Sequence, residues 1–160
     1  MTFQAQVNLQ PAPAVEGDFA SANPRATVLA GAGALVAGAA GLTTGRFAWS
    51  DVNGLCSNVG SGVPTGFVVR KMQALITIFL ADSGNLIPTG LAVTLFSQGD
   101  FWVRATVAVA TKGQKAFASN TDGTVQTGAA GATIAGYTET KWFVASAGAV
   151  GELIKITTWG

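Results

Sequence analysis

DFWVRATVAV, residues 100–109, places Phe101, Val103, Ala105, Val107 and Val109 on one face and Asp100, Trp102, Arg104 and Thr106 on the other. Successive strand side chains point to opposite faces, so this period of two reads as a β-strand whose odd positions face a core. Trp102 then stands on the outer face beside Arg104. Tryptophan and arginine are enriched at protein interfaces, and the same pair also suits a ring lying over its own sheet. Trp102 and Arg104 are therefore candidate interface residues.

The period of two extends in both directions from this strand. From Thr27 onward it is broken by glycine or proline every several residues, and no stretch carries an apolar stripe at helical spacing. SNVGSGVPTG (57–66) reads as a loop, and DSGN (82–85), PTG (88–90), QGD (98–100), KG (112–113), DG (122–123) and SAG (146–148) read as turns. Such spacing predicts an all-β chain, a compact antiparallel β-barrel or sandwich of residues 26–160. ALITIFLA (74–81) is nearly continuous in apolar residues, so both faces of that strand need cover, from the core or from another subunit.

AGAGALVAGAAGLTTG (30–45) lies in a 20-residue uncharged stretch between Arg25 and Arg46. That length is enough for a membrane-spanning helix. Only Val28, Leu29, Leu35, Val36 and Leu42 are large and apolar, however, beside five glycines. Each glycine costs about 1 kcal/mol of helix propensity, so no stable span is expected. The glycine spacing fits neither a GxGxxG fingerprint nor a Walker loop. Short strands separated by glycine turns are expected instead, over Thr27 to Ala30, Ala34 to Ala37 and Leu42 to Trp49.

Residues 1–25, MTFQAQVNLQPAPAVEGDFASANPR, carry three of the five prolines and no Lys or Arg before Arg25. A secretory leader needs a basic start, so none is expected here. Proline fixes φ and removes a donor, which suits an extended arm better than an internal strand. Phe3, Val7, Leu9 and Phe19 on this arm are candidates for contact with a neighbouring subunit through strand addition and small apolar pockets. On this reading, deletion of residues 2–24 abolishes attachment and leaves the barrel folded.

The 160 residues contain one cysteine, Cys56, and no histidine, which excludes internal disulfides and Cys/His metal sites. Nine basic residues are scattered along a chain of net charge +1, giving no basic stripe for nucleic acid. Charged residues make up 11% of the chain, against a usual share of about 25%. So little charge suits a subunit held in an assembly better than a free enzyme. The eight acids are spread singly, and without histidine no Ser-His-Asp engine exists, so no enzyme activity, cofactor, metal or small-molecule substrate is expected. The alternatives are a carbohydrate- or receptor-binding module using Trp49, Trp102, Trp142 and Trp159 as stacking platforms, and a hydrolase whose carboxylate pair assembles on folding.

Four segments in order, QVNLQPAPAVEGDFASANPR, AGLTTGRFAW, VTLFSQGDFWVRA and ETKWFVASAGAVGELIKITTWG, closely resemble the structural cement proteins of tailed bacteriophages. The likeness covers nearly the whole chain, although VQTGAAGATIAGY (125–137) is briefer than the low-complexity insertion often found at that point in relatives. The resemblance implies a jelly-roll-like or β-tulip subunit, a homotrimer, made in the host cytoplasm and placed on the outer capsid surface. There it would bridge adjacent major capsid proteins. It implies no nucleic acid, membrane or small-molecule partner.

Overall fold

A computed structural model describes residues 14–71 and 84–160. The described residues form thirteen strands and no helix: β1 (Ala26–Thr27), β2 (Val36–Ala37), β3 (Leu42–Thr43), β4 (Phe47–Ser50), β5 (Leu55–Ser57), β6 (Gly66–Val68), β7 (Leu86–Ile87), β8 (Leu95–Gln98), β9 (Asp100–Arg104), β10 (Lys115–Ser119), β11 (Val125–Gly128), β12 (Tyr137–Val144) and β13 (Leu153–Thr157). They make a six-stranded sheet, β1-β8-β6-β4-β5-β2, a five-stranded sheet, β11-β10-β12-β13-β9, and the small pair β3-β7. All pairings are antiparallel except β2 with β5.

The two larger sheets pack face to face, so the expected barrel or sandwich is a sandwich. Phe47, Phe67 and Phe96 from the six-stranded sheet meet Phe101, Val103, Trp142, Val144, Ile154 and Ile156 from the five-stranded one. Rings run through this core: Phe47 lies edge-on to Phe67 at 5.5 Å, Phe67 stacks on Phe101 at 4.7 Å, and Phe47 meets Trp142 at 5.2 Å. Each such side chain contributes about 1.5–3 kcal/mol by leaving water. A second cluster, including Leu35, Leu42, Cys56, Ile87, Val93 and Leu95, joins the sheet to the segments folded over its other face.

Gly99 alone carries the chain from β8 in one sheet to β9 in the other. Its φ of 138° and the Phe101 ring 2.9 Å from where a Cβ would stand leave room only for glycine. The alternation read over residues 100–109 is correct as far as Ala105. Val107 and Val109 are exposed rather than core. Pairing with β13 runs from Asp100↔Thr157 to Arg104↔Leu153, where β13 begins; beyond it the backbone pairs with β11 only at Ala105↔Val125 and the Thr106 N–H, so Val107 and Val109 fall outside any ladder among the described residues.

The glycine-rich stretch behaves as expected in kind, with strands shorter than its sequence suggests. Thr27 to Ala30 keeps only β1, Ala34 to Ala37 only β2, and Leu42 to Trp49 is split between β3 and β4 by Thr44–Arg46, where Gly45 has φ 75°. ALITIFLA and the first half of the DSGN turn lie outside the described residues, as do Phe3, Val7 and Leu9.

Candidate interaction surface

The described part of the amino-terminal arm is laid along the edge of β9. The Gly17 N–H donates to the Trp102 carbonyl, the Trp102 N–H to Asp18, and the Ala20 N–H to Asp100, at 2.8, 2.9 and 2.9 Å. The Gly17 carbonyl in turn accepts from the Arg70 N–H, just beyond β6, so the strap ties the two sheets together. Gly17 has φ 91°, and a Cβ there would sit 2.9 Å from Gly45 N and 3.0 Å from Arg70 N. The close approach therefore depends on glycine.

Side chains fix the rest of the strap. Ser21 and Asn23 both donate to Asp100 at 2.6 Å, Thr157 donates to its other oxygen, and the Trp159 indole donates to the Pro24 carbonyl. Burial pushes the Asp100 carboxyl up, but the bonds from Ser21, Thr157 and Asn23 outweigh it and hold the group below its ordinary value. Asp18 pairs with Arg70 and Glu16 with Arg104, each at 3.6 Å. At Glu16 burial wins: the carboxyl is raised, and Arg104 and Arg46 offset only part of the effect.

Phe19, a candidate for docking on a neighbour, is engaged within its own chain. Its ring lies 5.4 Å from Phe96 and 5.7 Å from Phe101, and the Arg25 guanidinium sits over it at 4.0 Å. Removing residues 2–24 would take this ring and the strap's backbone bonds to β9 out of the fold, so that truncation is expected to weaken the sandwich as well as any attachment.

Trp102 and Arg104 share the outer face of the five-stranded sheet, as the alternation predicts. Trp102 is half-buried under Lys155, whose ammonium lies 4.8 Å from the ring centre. Arg104 is exposed, pairs with Glu16 and donates to the Gly151 carbonyl. On the same face, Lys115 caps the Phe143 ring at 3.6 Å. The register sets Lys115 opposite Phe143, Phe143 opposite Thr157, and Lys155 opposite Trp102. A slot of about 340 Å³ opens beside them, lined by Lys112, Phe143, Val144, Ala145, Thr157 and Trp159. Sequence reading found the Trp102–Arg104 pair and missed the lysines, because residues scattered over 112–155 meet only through strand register.

A second surface is apolar and made of loops. Leu29 and Val52 are 93% and 101% exposed, and the loops that carry them line a shared cleft; Val59 and Val63 project from the neighbouring loop.

No cluster of three metal-ligating side chains occurs among the described residues. Each of the seven described acids is hydrogen-bonded or ion-paired: besides Glu16, Asp18 and Asp100, Asp51 caps residues 53 and 55, Asp122 holds Thr124, Glu139 accepts from Gly131 and Glu152 from Ala149. Cys56 is fully buried, and burial raises its thiol to about 11, despite a bond from the Val36 backbone and with a further push from Asp51, so it is a poor nucleophile. Of the four proposed stacking tryptophans, Trp142 is in the core at 2% exposure, which removes it as a sugar platform.

Residues 3–158 match the family described as XM1 gp53 minor capsid protein. The chain belongs to this family. It is thus a structural protein of a phage capsid, which agrees with the resemblance carried by its sequence motifs. Among solved structures, a chain from "The capsid of Myoviridae Phage XM1" is similar over 99% of this chain and 98% of its own, with a TM-score of 0.68 at 20% identity. At that identity the likeness shows that the two share a fold. No curated protein matches the chain.

Proposed function

We propose that this capsid protein is a cement subunit that sits on the outer surface of the phage shell as a homotrimer and fastens adjacent major capsid proteins without transforming any molecule. The observation that carries the reading is the strap, which locks the segment around residues 17–24 to both sheets, and the apolar Phe3, Val7 and Leu9 precede it in the sequence. Those three residues are the proposed grip on a capsid or sister subunit, by strand addition and small pockets. Trp102 and Arg104 supply further contact from the sheet face. A trimer touching several shell subunits turns later contacts into intramolecular ones and raises avidity roughly 10²- to 10⁴-fold, so each contact need only be weak.

The test is co-sedimentation with expanded, undecorated phage shells, using the full chain and one lacking residues 2–13. The full chain is expected to bind and to sediment alone as a trimer. The truncated chain is expected to keep its fold and lose most of its occupancy. Normal decoration by the truncated chain would remove the grip from the arm, and a monomer that ignores shells would remove the cement reading itself.

A further inference from the structure

We infer that the outer face of the five-stranded sheet docks an acidic, extended segment of the phage shell protein across its lysine-capped rings. One apolar side chain of that segment would enter the slot beside Phe143. The inference rests on the cement reading above and names the partner chemistry of one face.

Charge is distributed unequally among the basic residues. Three of the four arginines meet a carboxylate: Arg46 on Asp122, Arg70 on Asp18 and Arg104 on Glu16. No lysine does so among the described residues, and four of the five, Lys112, Lys115, Lys141 and Lys155, lie on or beside this one sheet. Of the acids nearby, Glu16 is paired with Arg104, while Asp100, Glu139 and Glu152 keep their charge but are turned to uncharged donors, Asp100 to three, Glu139 to the Gly131 N–H and Glu152 to the Ala149 N–H, rather than to a lysine. The face therefore presents four lysines that have no carboxylate partner among the described residues.

Two of these lysines are also held in place. Lys115 lies over Phe143 and reaches the Lys141 carbonyl at 3.5 Å, and Lys155 lies over Trp102. A ring orients an ammonium and packs its methylene stem without neutralising it, so an arriving carboxylate gains a charge-assisted bond with little further ordering of the lysine. The slot lined by Lys112, Phe143, Val144, Ala145 and Trp159 adds an apolar anchor beside the ring that Lys115 caps.

The sheet's edges steer a partner toward this face. The strap occupies β9, and β11 is tied to the end of β9's run through Ala105↔Val125 and the Thr106 N–H to the Val125 carbonyl. A partner therefore meets side chains rather than free backbone. Alternating apolar and charged groups at strand spacing fit a protein segment better than a continuous phosphate backbone.

The test uses full-length chain and undecorated expanded shells, with K115E/K155E and K115R/K155R as variants. Reversal is expected to weaken shell binding about tenfold or more, while the arginine variant stays near wild type and wild-type binding falls as salt rises. Carbodiimide treatment of decorated shells should join Lys115 or Lys155 to an Asp or Glu of the shell protein. The inference alone is overturned if folded K115E/K155E binds as wild type. It is also overturned if the cross-links join only copies of this chain, or if the wild type binds a single-stranded oligonucleotide through these lysines while shell binding is unaffected by their reversal. A wild-type chain that fails to bind shells overturns the cement reading and this inference together.

Discussion

The six-stranded sheet is covered on both faces by its own chain, with Phe47, Phe67 and Phe96 toward the partner sheet and Val68, Leu95 and Ala48 under the segments that carry Leu35, Leu42 and Ile87. Among the described residues, the five-stranded sheet is covered on one. Its inward residues Val103, Trp142, Ile154 and Ile156 are buried, and its outward ones are Trp102, Arg104, Lys115, Lys141, Phe143 and Lys155. Both sheets are built from the same alternating residues and share one core. The difference teaches that a sheet's outer face becomes available for a partner only where the chain supplies no second layer, and that polar strand positions are where this shows.

The sharpest way to break the comparison is to empty the shared core. Phe67→Ala is expected to cost about 3–5 kcal/mol in chemical denaturation, because the ring stacks between both sheets. Leu42→Ala comes next, at about 2–5 kcal/mol, if the outer cover of the six-stranded sheet is as integral as the core. A near-neutral result there would reduce that cover to a loop lying on an otherwise open sheet.

Acid titration probes the junction between strap and sheet. Asp100 titrates below its ordinary value of 3.8 in the folded chain, so its bonds stabilise the fold above that pH and are lost as pH falls through the depressed folded value. Glu16 acts with the opposite sign, since its raised value means that protonation on acidification relieves the burial of its charge. Asp100→Asn should therefore flatten the loss of stability measured between about pH 4 and pH 2. An unchanged profile would detach the strap's polar contacts from the stability of the sheet. The smallest effect is expected on the open face, where Lys115→Ala and Lys155→Ala should each change stability by about 0.5 kcal/mol or less in thermal melts. A larger loss would make those lysines part of the fold rather than a surface held for a partner.

How much of this was legible in the sequence follows from the range of each signal. Alternation within a strand is local, so Phe101, Val103 and the outward Trp102 and Arg104 could be read directly. Its extension to Val107 and Val109 failed because strand length is set by a partner, β13, more than forty residues away. The strap's attachment was not legible, since nothing in residues 17–20 names β9 as their neighbour. Trp142 shows the same limit. It reads as a ring for stacking, and only register places it inward against Phe47. The lysine face was hidden because a charge count along the chain cannot register that Lys115 and Phe143 share a ladder position.

The strap's attachment also has a mechanical meaning. Any tug along its axis loads the backbone bonds of Gly17, Asp18 and Ala20 together in shear, and the Gly17 carbonyl passes part of that tension to Arg70 on the opposite side of the sandwich. On the proposed grip by the arm, a shell swelling under internal pressure would strain the whole body of the subunit at once, instead of peeling one ribbon from its rim.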